Sequence, residues 1–160
     1  FGEQRFGHNV GNLDQAQSLM VRDHLKGNRR GTGMYLSAAR SWLYNLVLAE
    51  RLQQNCWSQP FAGEREPSGP LWGRGRSTSS GELDSLEQAI LADWQPWCYA
   101  LEHAGLKQER RALVLHPRAV HWQREAVDQL ALSFELAGGS YATVVLREIA
   151  ELFRPGIEPL

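Results

Sequence analysis

The 160-residue sequence predicts an α+β fold, and three observations carry that expectation. Apolar residues from Leu36 to Leu52 recur at helical spacing, and so do those from Leu83 to Ala104. In the last third the period drops to two, with Leu130, Leu132, Phe134 and Leu136 alternating with Ala131, Ser133 and Glu135. Apolar residues at 42% support one core of ordinary size, and 22% charged residues fit a globular chain rather than a disordered one.

The elements follow in chain order. Asn12 is expected to cap a short helix running to Met20. From Arg22 to Gly33 the glycines 27, 31 and 33 interleave with Lys26, Arg29 and Arg30, which predicts a loop. Such a loop is either merely solvated or a place where backbone N–H groups and cations meet a phosphate. Leu36–Leu52 is the clearest helix; Ala38, Trp42 and Leu48 widen its apolar face so far that burial on two sides follows. Ser37, Arg40 and Ser41 fall toward the other side, and Arg40, set against the helix dipole, calls for an anionic partner.

Residues 55–80 carry Pro60, Pro67 and Pro70 among four glycines and read as a long irregular connection, of a length compact domains rarely keep without a function. The second helical pattern must kink or restart at Pro96, with Asp93 as the cap of its second piece and Gly105 as its stop. Arg111–His116, closed by Pro117, reads as a strand. Leu130–Leu136 reads as a strand with one buried face. Gly138-Gly139 then turns the chain, and Ser140 caps a helix from Tyr141 to about Leu152.

Bulk properties narrow the function. The net charge of −1 hides +3 over the stretch ending at Arg51 and −4 over the remainder, so either the charges are scattered or a phosphate-bearing partner docks on the N-terminal third. No apolar run approaches the roughly 18 residues of a membrane span. Cys56 and Cys98 are far apart and form no C-x-x-C, which suits the reduced thiols of a cytosolic, cytoplasmic protein. His116 and His121 straddle Pro117 with no acid spaced to join them, so no metal site is expected. The six tryptophans mostly fall on helical apolar stripes, where core packing is the default.

The opening segment, Phe1-Gly2-Glu3-Gln4-Arg5-Phe6-Gly7, stands out. Two glycines bracket two aromatics, a carboxylate, an amide and a guanidinium, which predicts bends at Gly2 and Gly7 that present flat apolar faces beside hydrogen-bonding heads. The chain opens on Phe rather than Met and reads as the interior of a longer protein. Aromatics beside glycine turns, backed by arginines, are what proteins use to hold an unstacked base and its phosphates.

The same segment, followed by Asn12-Leu13, resembles the N-x-F-G-x-Q-R-F-G…N-L motif of TruD-type tRNA pseudouridine synthases. Leu36-Ser37-Ala38-Ala39-Arg40-Ser41, then Asn45 and Ala49-Glu50-Arg51-Leu52, is similar to that family's long helix. Leu132-x-Phe134-x-Leu136, Gly139-Ser140-Tyr141-Ala142-Thr143 and Leu146-Arg147-Glu148 resemble its C-terminal strand-turn-helix signature. The resemblance implies a cofactor-free isomerase that converts a uridine of tRNA, at position 13, to pseudouridine, with the base flipped into a pocket. It implies that Phe1 lies beside the flipped nucleotide and that Tyr141 contacts the target base. It further implies that Gln4, Arg5 and Arg40 support the pocket or bind phosphates, beside the phosphate-contact candidates Lys26, Arg29 and Arg30.

The chain also departs from the pattern. The motif's leading Asn and the segment holding the family's catalytic Asp fall before residue 1, and none of Asp14, Asp23, Asp84, Asp93 or Asp128 sits in the nucleophile's context. Between Gln59 and Pro60 the family normally carries a longer segment of its insertion domain, so either residues are omitted there or this copy is shortened. The expected organisation is a catalytic-domain segment at 1–54, a shortened insertion domain and linker at 55–110, and a return to the catalytic-domain strand, turn and helix at 111–160. These 160 residues alone are expected to be inactive. Two other readings stay open: a non-catalytic RNA-binding module, and a helical partner-binding domain with Trp42, Trp94 and Trp97 as its interface.

Overall fold

A computed structural model of the chain describes residues 1–21 and 32–151. They fall into two units, a larger one of Glu3–Val114 and a smaller one of Phe1–Gly2 with the chain from Leu115 onward. Helices and small antiparallel sheets make up both, so the class is α+β.

The larger unit is built around one helix. Helix α1 (Gly11–Val21) precedes α2 (Thr32–Gln53), and a connection leads to strand β1 (Ser68–Leu71). Helices α3 (Gly81–Ile90) and α4 (Gln95–His103) follow, then strand β2 (Glu109–Ala112), antiparallel to β1 with Ser68 opposite Ala112 and Leu71 opposite Glu109. One side of α2 places Leu36, Ala39, Leu43 and Val47 against Ala16 of α1 and Leu91, Trp97, Cys98 and Leu101. Another side meets the sheet: the Tyr44 hydroxyl donates to the Ala112 carbonyl at 2.5 Å, and a Cβ on Gly69 would lie 2.9 Å from the Tyr44 ring. The two-sided burial expected of this helix is therefore present.

The smaller unit contains a hairpin of β3 (Arg118–Ala126) and β4 (Gln129–Glu135), with Trp122 opposite Leu132, and then α5 (Ala142–Arg147). Gly139 turns the chain with φ +80° before α5, as its sequence suggests.

Several expectations need correction. Helix α1 begins at Gly11, and Asn12, instead of capping it, sends its side-chain amide back to the Arg5 carbonyl at 3.1 Å. The second helix starts at Thr32, so Thr32 and Gly33 belong to it and not to a loop; residues 22–31 lie outside the described residues. Ser41, expected away from the core, is buried and donates to the Ser37 carbonyl at 2.9 Å. A strand sits inside the connection read as irregular: Pro70 and Gly69 hide it, yet only one neighbour pairs with it, so a missing N–H is tolerated. Asp93 caps nothing; it lies in a 3-10 turn, Ala92–Trp94, and α4 starts with Pro96 in its first turn and no side-chain cap.

The strand expected at 111–116 instead spans Glu109–Ala112, because its partner β1 is four residues long and the ladder closes where the Leu113 N–H donates to the Pro67 carbonyl. Strand β3 was not expected at all. The face of β4 read as buried is only half-covered, and Leu130 is exposed. Helix α5 is shorter than expected, flanked by Tyr141 without a side-chain cap, and Leu152 lies outside the described residues.

Candidate functional site

The opening segment is held by its own motif residues. Glu3–Arg5 forms a 3-10 turn, closed by the Phe6 N–H donating to the Glu3 carbonyl at 2.8 Å. Gly7 has φ +78°, as the sequence predicts for a bend there. A Cβ on it would lie 2.9 Å from the Asn12 side chain, which is the amide that grips the Arg5 carbonyl. Arg5 in turn donates through Nη1 to the Ser37 hydroxyl on α2 at 3.0 Å. Phe6 is buried and packs edge-on to Trp42 at 6.1 Å, and the contact continues through Trp94 at 5.8 Å to Trp97 at 4.9 Å. Trp97 belongs to the core of the larger unit, and Trp42 and Trp94 pack against it while staying partly exposed.

Gly2 is not in the left-handed region; its small size is what matters. A Cβ there would lie 2.9 Å from Cγ2 of Val144 on α5, and the Val144 N–H donates to the Tyr141 carbonyl at 3.1 Å. Phe1 is thus one residue from that contact and Tyr141 one helical turn from it, both in the smaller unit. Gln4, Arg5 and Arg40 lie in the larger unit, Gln4 exposed on the 3-10 turn and Arg5 half-buried. Lys26, Arg29 and Arg30 lie outside the described residues.

Arg40 has its anionic partner, as expected, in Glu109 at 3.4 Å, but its shorter bonds go to backbone. Its Nη2 donates to the carbonyls of Leu71 and Lys107, each at 2.7 Å, joining α2 to the end of β1 and the approach to β2. Burial pushes the Arg40 pKa down and Glu109 pulls it partly back.

The most elaborate polar cluster was missed by sequence reasoning. Arg51, with its side chain fully buried, pairs with Glu64 at 3.1 Å, donates to the carbonyls of Cys56, Gln59 and Ser68, and lies 4.8 Å from the Phe61 ring centroid. Glu64 accepts from the Phe61 and Ser68 N–H groups and from the Ser68 hydroxyl, each at 2.9 Å. Arg110 forks onto Glu87 at 2.7 and 3.0 Å and reaches the Ser68 carbonyl at 2.8 Å. Burial alone would raise the Glu64 pKa, but those hydrogen bonds and Arg51 more than reverse it, so the carboxyl stays ionised below its ordinary range. The cluster organises the connection before β1 without regular secondary structure. Its partners are up to 42 residues apart, so no local pattern announces it. A cleft of about 290 Å³, lined by Glu64, Ser68, Ser79, Ser80 and Arg110 among others, opens beside it.

Cys56 and Cys98 are both free thiols; Cys98 is buried and burial lifts its pKa to about 12. Among the described residues no group of three His, Cys, Asp or Glu side chains is placed to hold a metal, and no helix is long and apolar enough to cross a membrane.

Comparison with known proteins supplies the family. Residues 62–149 match the family model of tRNA pseudouridine synthase D (TruD). The chain is 47% identical to the tRNA pseudouridine synthase D of Cellvibrio japonicus over 154 residues, covering 95% of this chain and 46% of that protein. It is 41% identical to the protein of that name from Nitrosococcus oceani over 178 residues, covering 93% of this chain and 50% of the relative. For the Hydrogenovibrio crunogenus protein the identity is 35% over 179 residues, covering 95% and 52%.

The chain belongs to the TruD family. It spans about half the length of the curated relatives it matches. The family match begins at Ala62, inside the Arg51–Glu64 connection, and runs through α5, so it takes in sequence from both units. The Cellvibrio alignment is barely longer than the stretch of this chain it covers, whereas the Nitrosococcus alignment needs some 178 positions for slightly less of it.

Proposed function

We infer that the protein is a tRNA pseudouridine synthase that isomerises a uridine at position 13 of tRNA. The observation that carries this is the seating of Gly2 against Val144, which holds Phe1 beside the start of α5 where Tyr141 stands, in a chain of the TruD family. Phe1 and Tyr141 would offer an extruded uracil flat faces to lie against, and unstacking it from the RNA costs a few kcal/mol that such contacts offset.

The reaction asks little else of cofactors. The bond from C1′ to N1 breaks, one from C1′ to C5 forms, C5 loses its proton and N1 gains one, so substrate and product are isomers. No oxidant, nucleotide or metal enters that balance. A carboxylate is needed to drive the transfer, and a segment outside these residues supplies it. On the larger unit Gln4 and Arg5 serve RNA contact or its support and Arg40 acts as support; Lys26, Arg29 and Arg30, outside the described residues, are taken to contact phosphates. The partner is tRNA and the setting is the cytoplasm.

Tritium release from tRNA labelled at uridine C5 tests this. The full-length protein should release label in step with pseudouridine formation at position 13, and the 160 residues alone should release none above background. A full-length protein that binds tRNA but never releases tritium would overturn the enzymatic reading in favour of a binding module.

A further inference from the structure

Three cations of the larger unit stand on a tightly stitched piece of backbone just beyond β1 and before β2. Arg74 and Lys107 are partners in an isolated parallel bridge. The Arg74 N–H donates to the Leu106 carbonyl at 2.6 Å, and the Gln108 N–H donates back to the Arg74 carbonyl at 3.0 Å. The Gly73 N–H donates to Oε1 of Gln108 at 2.7 Å. A Cβ at residue 73 would stand 2.6 Å from the carbonyl oxygens of both Leu106 and Lys107, so the two segments approach more closely than any side chain there permits. Arg40 closes the arrangement from α2 through its bond to the Lys107 carbonyl.

This backbone sets Arg74 beside Lys107, with Arg76 two residues further on, and all three residues are exposed. Like charges in facing positions repel, and a folded chain ordinarily separates them or supplies an acid. Elsewhere in the unit that is what happens: Arg51 has Glu64, Arg110 has Glu87 and Arg40 has Glu109. The acids nearest in sequence to Lys107 are already engaged, Glu109 by Arg40 and Glu102 by the Trp72 indole N–H at 2.9 Å. The side chains of Arg74, Arg76 and Lys107 make no hydrogen bond or ion pair among the described residues.

We propose that Arg74, Arg76 and Lys107 form a phosphate-binding ledge that grips the backbone of the RNA substrate. The inference rests on the reading of the protein as a tRNA-acting enzyme and adds to it a second, sequence-independent contact surface. A rigid ledge of uncompensated cations suits consecutive phosphates, which neutralise it and release their own counterions. Such contacts set register and affinity and carry no base specificity.

The test is tRNA binding by the full-length protein as a function of salt, between about 50 and 200 mM. Replacing all three (R74A/R76A/K107A) should weaken binding on the order of tenfold and make the slope of log K against log salt shallower by about 2 to 3. The single Arg76→Ala variant should lose about 1 of that slope, and the charge-keeping R74K/R76K/K107R should retain all of it. Because these side chains touch no partner, stability should stay within about 0.5 kcal/mol of the parent. A triple alanine variant with the parent's affinity and slope, in a protein that binds tRNA, would overturn the ledge and leave the enzymatic reading standing. A parent that does not bind tRNA at all would overturn both.

Discussion

The two units reach their order by different means. Every fully buried residue among those described lies in Glu3–Val114, where α2 presents one face to helices and another to a sheet. The smaller unit has none, and it leaves Val120, Trp122, Val127 and Leu130 more than half exposed on and around its hairpin. A two-stranded hairpin is marginal by itself. The side chains expected to touch the target base, Phe1 and Tyr141, nevertheless belong to that thinner unit. The larger one supplies stability and, in the account given above, grip on the RNA backbone. The buried core and the expected base-contacting side chains thus belong to different units, so substitutions that destabilise and substitutions that impair chemistry should separate cleanly.

The sharpest way to break the comparison is Glu64→Gln. It leaves the buried Arg51 charge without its counter-ion and should cost about 3–5 kcal/mol, read as a shift in the urea midpoint by tryptophan fluorescence. Little or no shift would mean that the Arg51 cluster does not hold the larger unit together. The same carboxyl predicts an acid limb. Its folded pKa lies below the ordinary 4.5, so its contribution is complete above that value and drains away as pH falls through the lower folded value. Urea midpoints measured against pH should show this slope in the parent and lose that part of it in Glu64→Gln.

Thiol chemistry sharpens the picture at smaller scale. Cys98, at 1% exposure and with its pKa pushed to about 12, should resist alkylation at pH 8 in the native protein, while the partly exposed Cys56 reacts. Quantitative labelling of both without denaturant would show that the larger unit opens readily. The smallest effect is expected on the hairpin, where Trp122→Ser should change stability by no more than about 0.5 kcal/mol, because the ring is 71% exposed. A cost of several kcal/mol in the full-length protein would show that this face is covered by another part of it.

How much of this the sequence foretold follows physical lines. The long helix was legible because Leu36, Ala39, Leu43 and Val47 repeat at a period that only a helix satisfies. Strand β4 was legible by its alternation, and Gly105 and Gly139, with φ of +79° and +80°, ended or turned the chain where expected. Strand β1 was not, because Pro70 and Gly69 argue against a strand unless it lies at an edge. Strand β3, the partner of β4 in the smaller unit, was hidden by a turn at Val127-Asp128 that lacks the usual Gly or Asn and by two register shifts along the ladder. The site motif was legible as residues, but the reasons for them were not. Asn12 clamps Arg5 and crowds Gly7, and Gly2 admits Val144, and both are contacts that only three dimensions reveal.

The central claim is that Tyr141, which shares the smaller unit with Phe1, meets the target uridine. Its most direct test is tritium release by the full-length protein carrying Tyr141→Ala, measured alongside its thermal melt. Losing a stacked base contact worth about 1–3 kcal/mol should slow release by roughly 5- to 150-fold, while Tyr141→Phe retains most activity and both variants melt with the parent. Release at the parental rate by Tyr141→Ala would contradict the account.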